Sequence, residues 1–80
     1  MSDTAERIKK VTAETLKVDM GRITDDARFV EDLGAESIQS IELIAAFEEE
    51  FDIEMDEEAA TAVKNVGDAV TFIQNVIDNQ

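Results

Sequence analysis

The sequence predicts an all-α fold, a four-helix bundle with a short third helix and a long first loop. Three observations carry this expectation. Apolar residues recur at three- and four-residue spacing in three stretches, as on a helix with one buried stripe. No stretch alternates apolar and polar residues as a half-buried strand would. Gly21, Gly34 and the polar run Thr24-Asp25-Asp26 interrupt the chain where helices must stop. The 80 residues are read as one domain, 1–80, because a typical domain runs to about 100 residues or more. A chain this short hides only about 60% of the surface of its unfolded form, so the core must be small and a deep catalytic cleft is not expected.

The first helix opens near Asp3-Thr4-Ala5-Glu6, an acid at the N-cap with Glu three residues later. Ile8, Val11, Thr12, Thr15 and Leu16 form its apolar stripe. A long loop follows, and Val18, Ile23, Phe29, Val30 and Leu33 are expected to pin it to the core. The second helix runs from about Ser37 to Phe51. At about 100° per residue, Leu43, Ile44, Phe47 and Phe51 share its core-facing arc with Ser40. The third is short: Asp56 can cap a segment from Glu57 to about Val63. The last starts near Asn65, with Asn65 and Asp68 at cap-and-third-residue spacing, and carries Val66, Ala69, Val70, Ile73, Val76 and Ile77 along one side.

Composition excludes several functions. Twenty acids against 7 bases give a formal charge of −13, which disfavours nucleic acid and anionic lipid and favours a basic protein partner. Without Cys or His, the chain has no thiolate, no imidazole and no Ser-His pair, so it is not expected to be an enzyme or a zinc protein. It has no apolar run long enough for a signal peptide or a membrane span, and the expectation is a cytoplasmic monomer.

Charge is concentrated in the middle. From Phe29 to Val63 there are twelve acids and no Lys or Arg. On the second helix, Ile38, Glu42, Ala45 and Glu49 lie opposite the core arc, with Ile41 and Glu48 at the edge. A solvated acidic face has little use for Ile38 and Ile41. A protein-docking face does, because charge steers encounter and apolar contact holds the complex.

The segment Asp32-Leu33-Gly34-Ala35-Glu36-Ser37-Ile38 joins the loop to this helix. Ser37 has two readings. It can be an N-cap, a common role for serine. It can also carry a phosphate ester, because the free N–H groups and dipole of a helix start favour an anion. Asp32 and Glu36 would repel such a group, so the attaching enzyme would have to supply cations.

The same segment, followed by Ile41-Glu42-Leu43, resembles the attachment motif of the acyl carrier proteins. Phe47 to Glu54 is similar to the acidic second half of their recognition helix, and Asn65 to Val70 to the start of their fourth helix. The resemblance spans essentially the whole chain. It implies a 4′-phosphopantetheine arm, placed covalently on Ser37 by a phosphopantetheinyl transferase, that carries acyl groups as thioesters. A chain without Cys must import its thiol in some such way. It implies delivery to acyl synthases and transferases with basic docking patches, in fatty-acid or related lipid biosynthesis, and an acyl tail sheltered between the helices. Ala45, Ala46, Ala59, Ala60 and Ala62 would leave room for that tail. The family's partner-contact acids fall on Glu42, Glu48 and Glu49 and its exposed apolar contact on Ile38, with Asp32 and Glu36 in support.

The sequence departs from the family in four places: Glu36 and Ile38 stand where Asp and Leu are usual, Gln39 replaces an acid, and the pair Met55-Asp56 stands where a proline is usual ahead of the third helix. They suggest a specialised carrier. The competing reading is an acidic helical interaction module that is never loaded. A calcium loop is rejected by spacing: with Asp52, Glu54 and Asp56 at positions one, three and five, Glu57 stands where Gly is needed and Val63 where the bidentate Glu belongs.

Overall fold

The computed structural model describes residues 3–79, apart from the side chains at 3, 57 and 59. Its helices are α1 (Asp3–Leu16), α2 (Ser37–Phe51), α3 (Glu57–Thr61) and α4 (Val66–Asp78), with a single 3-10 turn at Met20–Arg22. The described residues are all-helical and include no β-strand. The cap expected of Asp3 lies outside the described side chains.

Helix α1 packs against both α2 and α4. Its stripe does so because Ile8 and Thr12 are fully buried and Val11 and Leu16 nearly so. Thr12 tolerates that position because its Oγ1 donates to Ile8 O at 2.7 Å, which satisfies the hydroxyl inside the helix. Leu43 and Phe47 of α2 and Val66, Ala69 and Ile73 of α4 complete the centre, with Ile44 and Phe51 half-buried beside them. Two helices end on non-glycine residues in the left-handed region, Lys17 after α1 at φ 56° and Asp52 after α2 at φ 54°. Arg7 clamps α1 to the last turn of α2. Its Nε donates to Glu50 Oε2 at 2.8 Å, and its guanidinium lies 4.4 Å from the centre of the Phe51 ring.

The first loop is sewn to the start of α4 by main-chain bonds. Phe29 N–H donates to Lys64 O at 3.1 Å, Val66 N–H to Ala27 O at 3.0 Å and Gly67 N–H to Asp25 O at 2.7 Å. Ile23, Ala27, Phe29, Leu33 and Ala35 turn into the core, and Val18 is half-buried. Val30 departs from expectation: it is 57% exposed. It sits in a tight turn whose buried positions are already taken by Phe29 and Leu33, so its side chain points outward.

The start of α4 follows its sequence signal, since Asn65 Oδ1 accepts from Asp68 N–H at 2.8 Å. Asp56 Oδ1 likewise accepts from Glu58 N–H at 3.1 Å at the start of α3. That helix stops at Thr61 rather than near Val63. Thr61 Oγ1 bonds back to Glu58 O at 2.7 Å, and Val63 N–H turns to Ala60 O, so the backbone tightens instead of propagating.

Candidate functional site

Residues 28–35 form a compact turn that delivers the chain to α2. The N–H groups of Asp32 and Leu33 both donate to Arg28 O at 3.0 Å, Gly34 N–H to Val30 O at 3.1 Å, and Ala35 N–H to Phe29 O at 2.8 Å. Gly34 is needed because the turn takes it to φ 73°, where a Cβ is strained. Leu33 and Ala35 are buried and anchor the turn. Asp32 fastens it from outside: its Oδ2 accepts from Arg28 N–H at 2.8 Å and from Arg28 Nε at 3.1 Å. The side-chain bond from Arg28, reinforced by the main-chain bond, holds the Asp32 carboxyl below its ordinary value. The same partnership raises Arg28.

Glu36 is the N-cap residue of α2, with extended backbone, and its N–H donates to Gln39 Oε1 at 3.0 Å. That bond is the returning half of a capping box, with Gln39 at the third helical position. Ser40 N–H donates to Glu36 O at 2.9 Å and starts the helical ladder. Ser37 is therefore the first helical residue and not the cap. It is exposed, and its hydroxyl makes no hydrogen bond among the described residues.

Ile38 and Ile41 are 68% and 66% exposed, and Glu36, Glu42, Ala45 and Glu49 are exposed with them. Two other acids expected on this surface already have internal partners. Asp32 holds the Arg28 turn. Glu48 is half-buried, and its Oε2 accepts from Met55 N–H at 2.9 Å, fastening the chain that leaves α2. Sequence spacing could not reveal the bonds from Arg28 N–H and Met55 N–H, because a turn brings each main-chain donor in.

Beside Ser37 opens a cavity of about 390 Å³, walled mainly by apolar residues including Phe29, Ile44, Phe47, Met55 and Val63. The room comes from small residues other than most of those expected. Ser40, Ala60 and Ala69 lie on the wall. Ala45 and Ala62 are exposed, Ala46 faces a separate groove between α1 and α2, and the Ala59 side chain lies outside the described residues. Ser37 thus combines a free hydroxyl, a helix start whose first N–H groups have no helical acceptor, and an apolar chamber of ligand size. These features fit a phosphate-linked arm with an apolar burden. No group of acids among the described residues is arranged to hold a metal ion, and no described helix is long and apolar enough to cross a membrane.

Comparison with known proteins agrees with this geometry. The family model described as "Phosphopantetheine attachment site" matches residues 6–73. The solved structure of a protein designated an acyl carrier protein (Rv0033) from Mycobacterium tuberculosis is similar at 35% identity, over 90% of this chain and 96% of that one, with a TM-score of 0.84. The chain therefore belongs to the phosphopantetheine-attachment family as a carrier of the acyl carrier protein type, a non-catalytic protein that bears a covalent 4′-phosphopantetheine and works with phosphopantetheinyl transferases and biosynthetic enzymes.

Proposed function

We propose that Ser37 is the attachment serine and that the protein carries acyl intermediates to enzymes of fatty-acid or related lipid biosynthesis. The observation that carries this reading is an exposed, unengaged Ser37 hydroxyl at the first position of α2, beside an apolar cavity. In loading, the Ser37 oxygen gains a bond to the phosphorus that bears pantetheine as the pyrophosphate P–O bond of coenzyme A breaks, adenosine 3′,5′-bisphosphate leaves, and the serine proton passes to the transferase. The bound arm supplies the thiol that this chain lacks. The chain's own contribution is to present the oxygen on a rigid helix end and to offer Phe47, Ile44 and Val63 as a dry surface for the tail. Each methylene buried there contributes about 0.8 kcal/mol.

The whole chain acts in this reading as one four-helix domain, monomeric and cytoplasmic, in which short α3 covers the cavity. Partners dock on Ile38, Ile41, Glu42, Ala45 and Glu49, with Glu36 beside the serine. Transferase and synthase supply Lys and Arg against these acids, while Asp32 and Glu48 support the surface by holding its loops. Incubation with coenzyme A and a phosphopantetheinyl transferase, followed by intact-mass spectrometry, tests the assignment. The mass should rise by one phosphopantetheine, and Ser37→Ala should abolish the gain. An unmodified parent protein, under conditions that load a control carrier, would leave the unloaded interaction module as the better account.

A further inference from the structure

Lys64 stands apart from the charge pattern of the molecule. It is the sole Lys or Arg beyond Arg28 in the sequence. It is exposed and makes no ion pair among the described residues. It also lies on the wall of the cavity that Ser37 borders. Two main-chain bonds fix it near the serine: Phe29 N–H donates to Lys64 O at 3.1 Å, and Ala35 N–H, two residues before Ser37, donates to Phe29 O at 2.8 Å. The charge of opposite sign on that wall, Glu31, is paired with Arg28 at 3.3 Å. Asp68 bonds the Lys64 main chain, its Oδ2 accepting from the N–H at 3.4 Å.

We infer that Lys64 is a positioning residue for the arm, its ammonium pairing with the phosphodiester on Ser37 and turning the arm toward the cavity. This rests on Ser37 being the loaded residue. A phosphodiester is a permanent anion. Here it arrives beside exposed Glu36, and among the described residues Lys64 is the sole cation on the cavity wall; Arg28 is committed to Glu31 and Asp32, and Arg22 turns to the Asp32 main-chain oxygen at 3.3 Å. The helix start supplies N–H donors but cannot offset the field of the surrounding acids. A lysine does so from a distance, because its ammonium is a point charge on a flexible four-carbon stem. Lys64 adjoins the one anion that the protein acquires after it folds.

The test is phosphorus NMR of the loaded protein at low salt, with loading verified by intact mass. In the parent, the phosphorus resonance should differ from that of the urea-unfolded loaded protein. Lys64→Gln should move it most of the way toward the unfolded value, and Lys64→Arg should keep it near the parent's. About 1 M salt, where the screening length is ~3 Å, should move the parent resonance as Lys64→Gln does. Lys10→Gln, an exposed lysine of α1 away from the cavity, should change nothing. If Lys64→Gln loads to the same mass and keeps the parent resonance and salt response, the role of Lys64 is overturned while the Ser37 assignment stands. If the parent gains no mass, the Ser37 assignment fails and takes the role of Lys64 with it.

Discussion

Replacing Arg7 with Ala removes three contacts between α1 and the end of α2 at once. The Nε bond to Glu50 Oε2 is 2.8 Å, a second guanidinium nitrogen donates to Glu50 O at 2.6 Å, and the guanidinium stacks 4.4 Å from the Phe51 ring centre. The two charged side chains are 45% and 37% exposed, so solvent screens the ion pair to about 0.2–1 kcal/mol. The ring contact adds about 0.5 kcal/mol at such exposure, and the charged bond to the helix-terminal carbonyl about 1 kcal/mol. Together these come to roughly 2 kcal/mol, or a fall in Tm of about 8–15 °C for a domain of this size. The net charge moves from −13 to −14, in the same destabilising direction.

Thermal denaturation followed by circular dichroism reads this directly. Arg7→Lys should fall between parent and Arg7→Ala, since it keeps the charge and loses the planar fork. A double-mutant cycle with Glu50→Ala isolates the side-chain pair and should give about 0.5 kcal/mol, shrinking as salt rises. Loading of Ser37 should be unaffected, because Ser37 is at the opposite end of α2. An Arg7→Ala protein melting within about 2 °C of the parent would refute the clamp.

The remaining contacts separate steering acids from structural ones. Glu42→Lys or Glu49→Lys should slow association with a transferase or synthase about tenfold at low salt without changing helical content, as surface charges act on encounter rates. Glu48→Ala should instead lower Tm by about 4–8 °C, roughly 1 kcal/mol for the lost Met55 N–H acceptor, and Glu48→Gln should retain most of the stability. The Asp32 carboxyl is held below its ordinary value of 3.8 by Arg28, so its share of stability is full above about pH 4 and disappears as pH falls through the lowered value. A plot of Tm against pH should fall less steeply below about pH 4 in Asp32→Asn than in the parent. Added salt or Mg²⁺ should raise Tm by screening twenty acids against seven bases, and a salt-independent Tm would contradict this.

Legibility in the sequence followed the range of the forces involved. The stripes of α1, α2 and α4 and the caps at Asp56 and Asn65 were readable because periodic burial and capping act within a few residues. Val30 was not, since a lone apolar residue in a loop has no periodic neighbours to say which way it faces. Ser37 was readable as a helix start, but its freedom from capping depends on Glu36 and Gln39 bonding around it. The cavity was the least accessible feature. Most of the alanines expected to leave room face elsewhere, and the wall at Ser40, Ala60 and Ala69 is drawn from three different helices, α2, α3 and α4.

The seam between the first loop and α4 connects these observations, and Gly67 is where it is most sensitive. A Cβ there would stand 3.0 Å from Asp25 O and 3.4 Å from Asn65 Oδ1. The nearer neighbour is backbone, which cannot swing aside as a side-chain end could. Asp25 O is also the acceptor of the 2.7 Å bond from Gly67 N–H, so relief of the clash must stretch the bond that closes the seam. Elsewhere in a helix, Gly→Ala gains about 1 kcal/mol of propensity. Overpacking costs about 1–3 kcal/mol, so Gly67→Ala should destabilise by up to about 2 kcal/mol. The displacement would pass along the loop to Phe29, whose N–H and O bridge Lys64 to Ala35, and so to the turn that presents Ser37. Gly67→Ala should therefore lower Tm and slow loading together, whereas Arg7→Ala lowers Tm alone. A more stable Gly67→Ala protein, loaded at the parent's rate, would show that the seam does not hold the site.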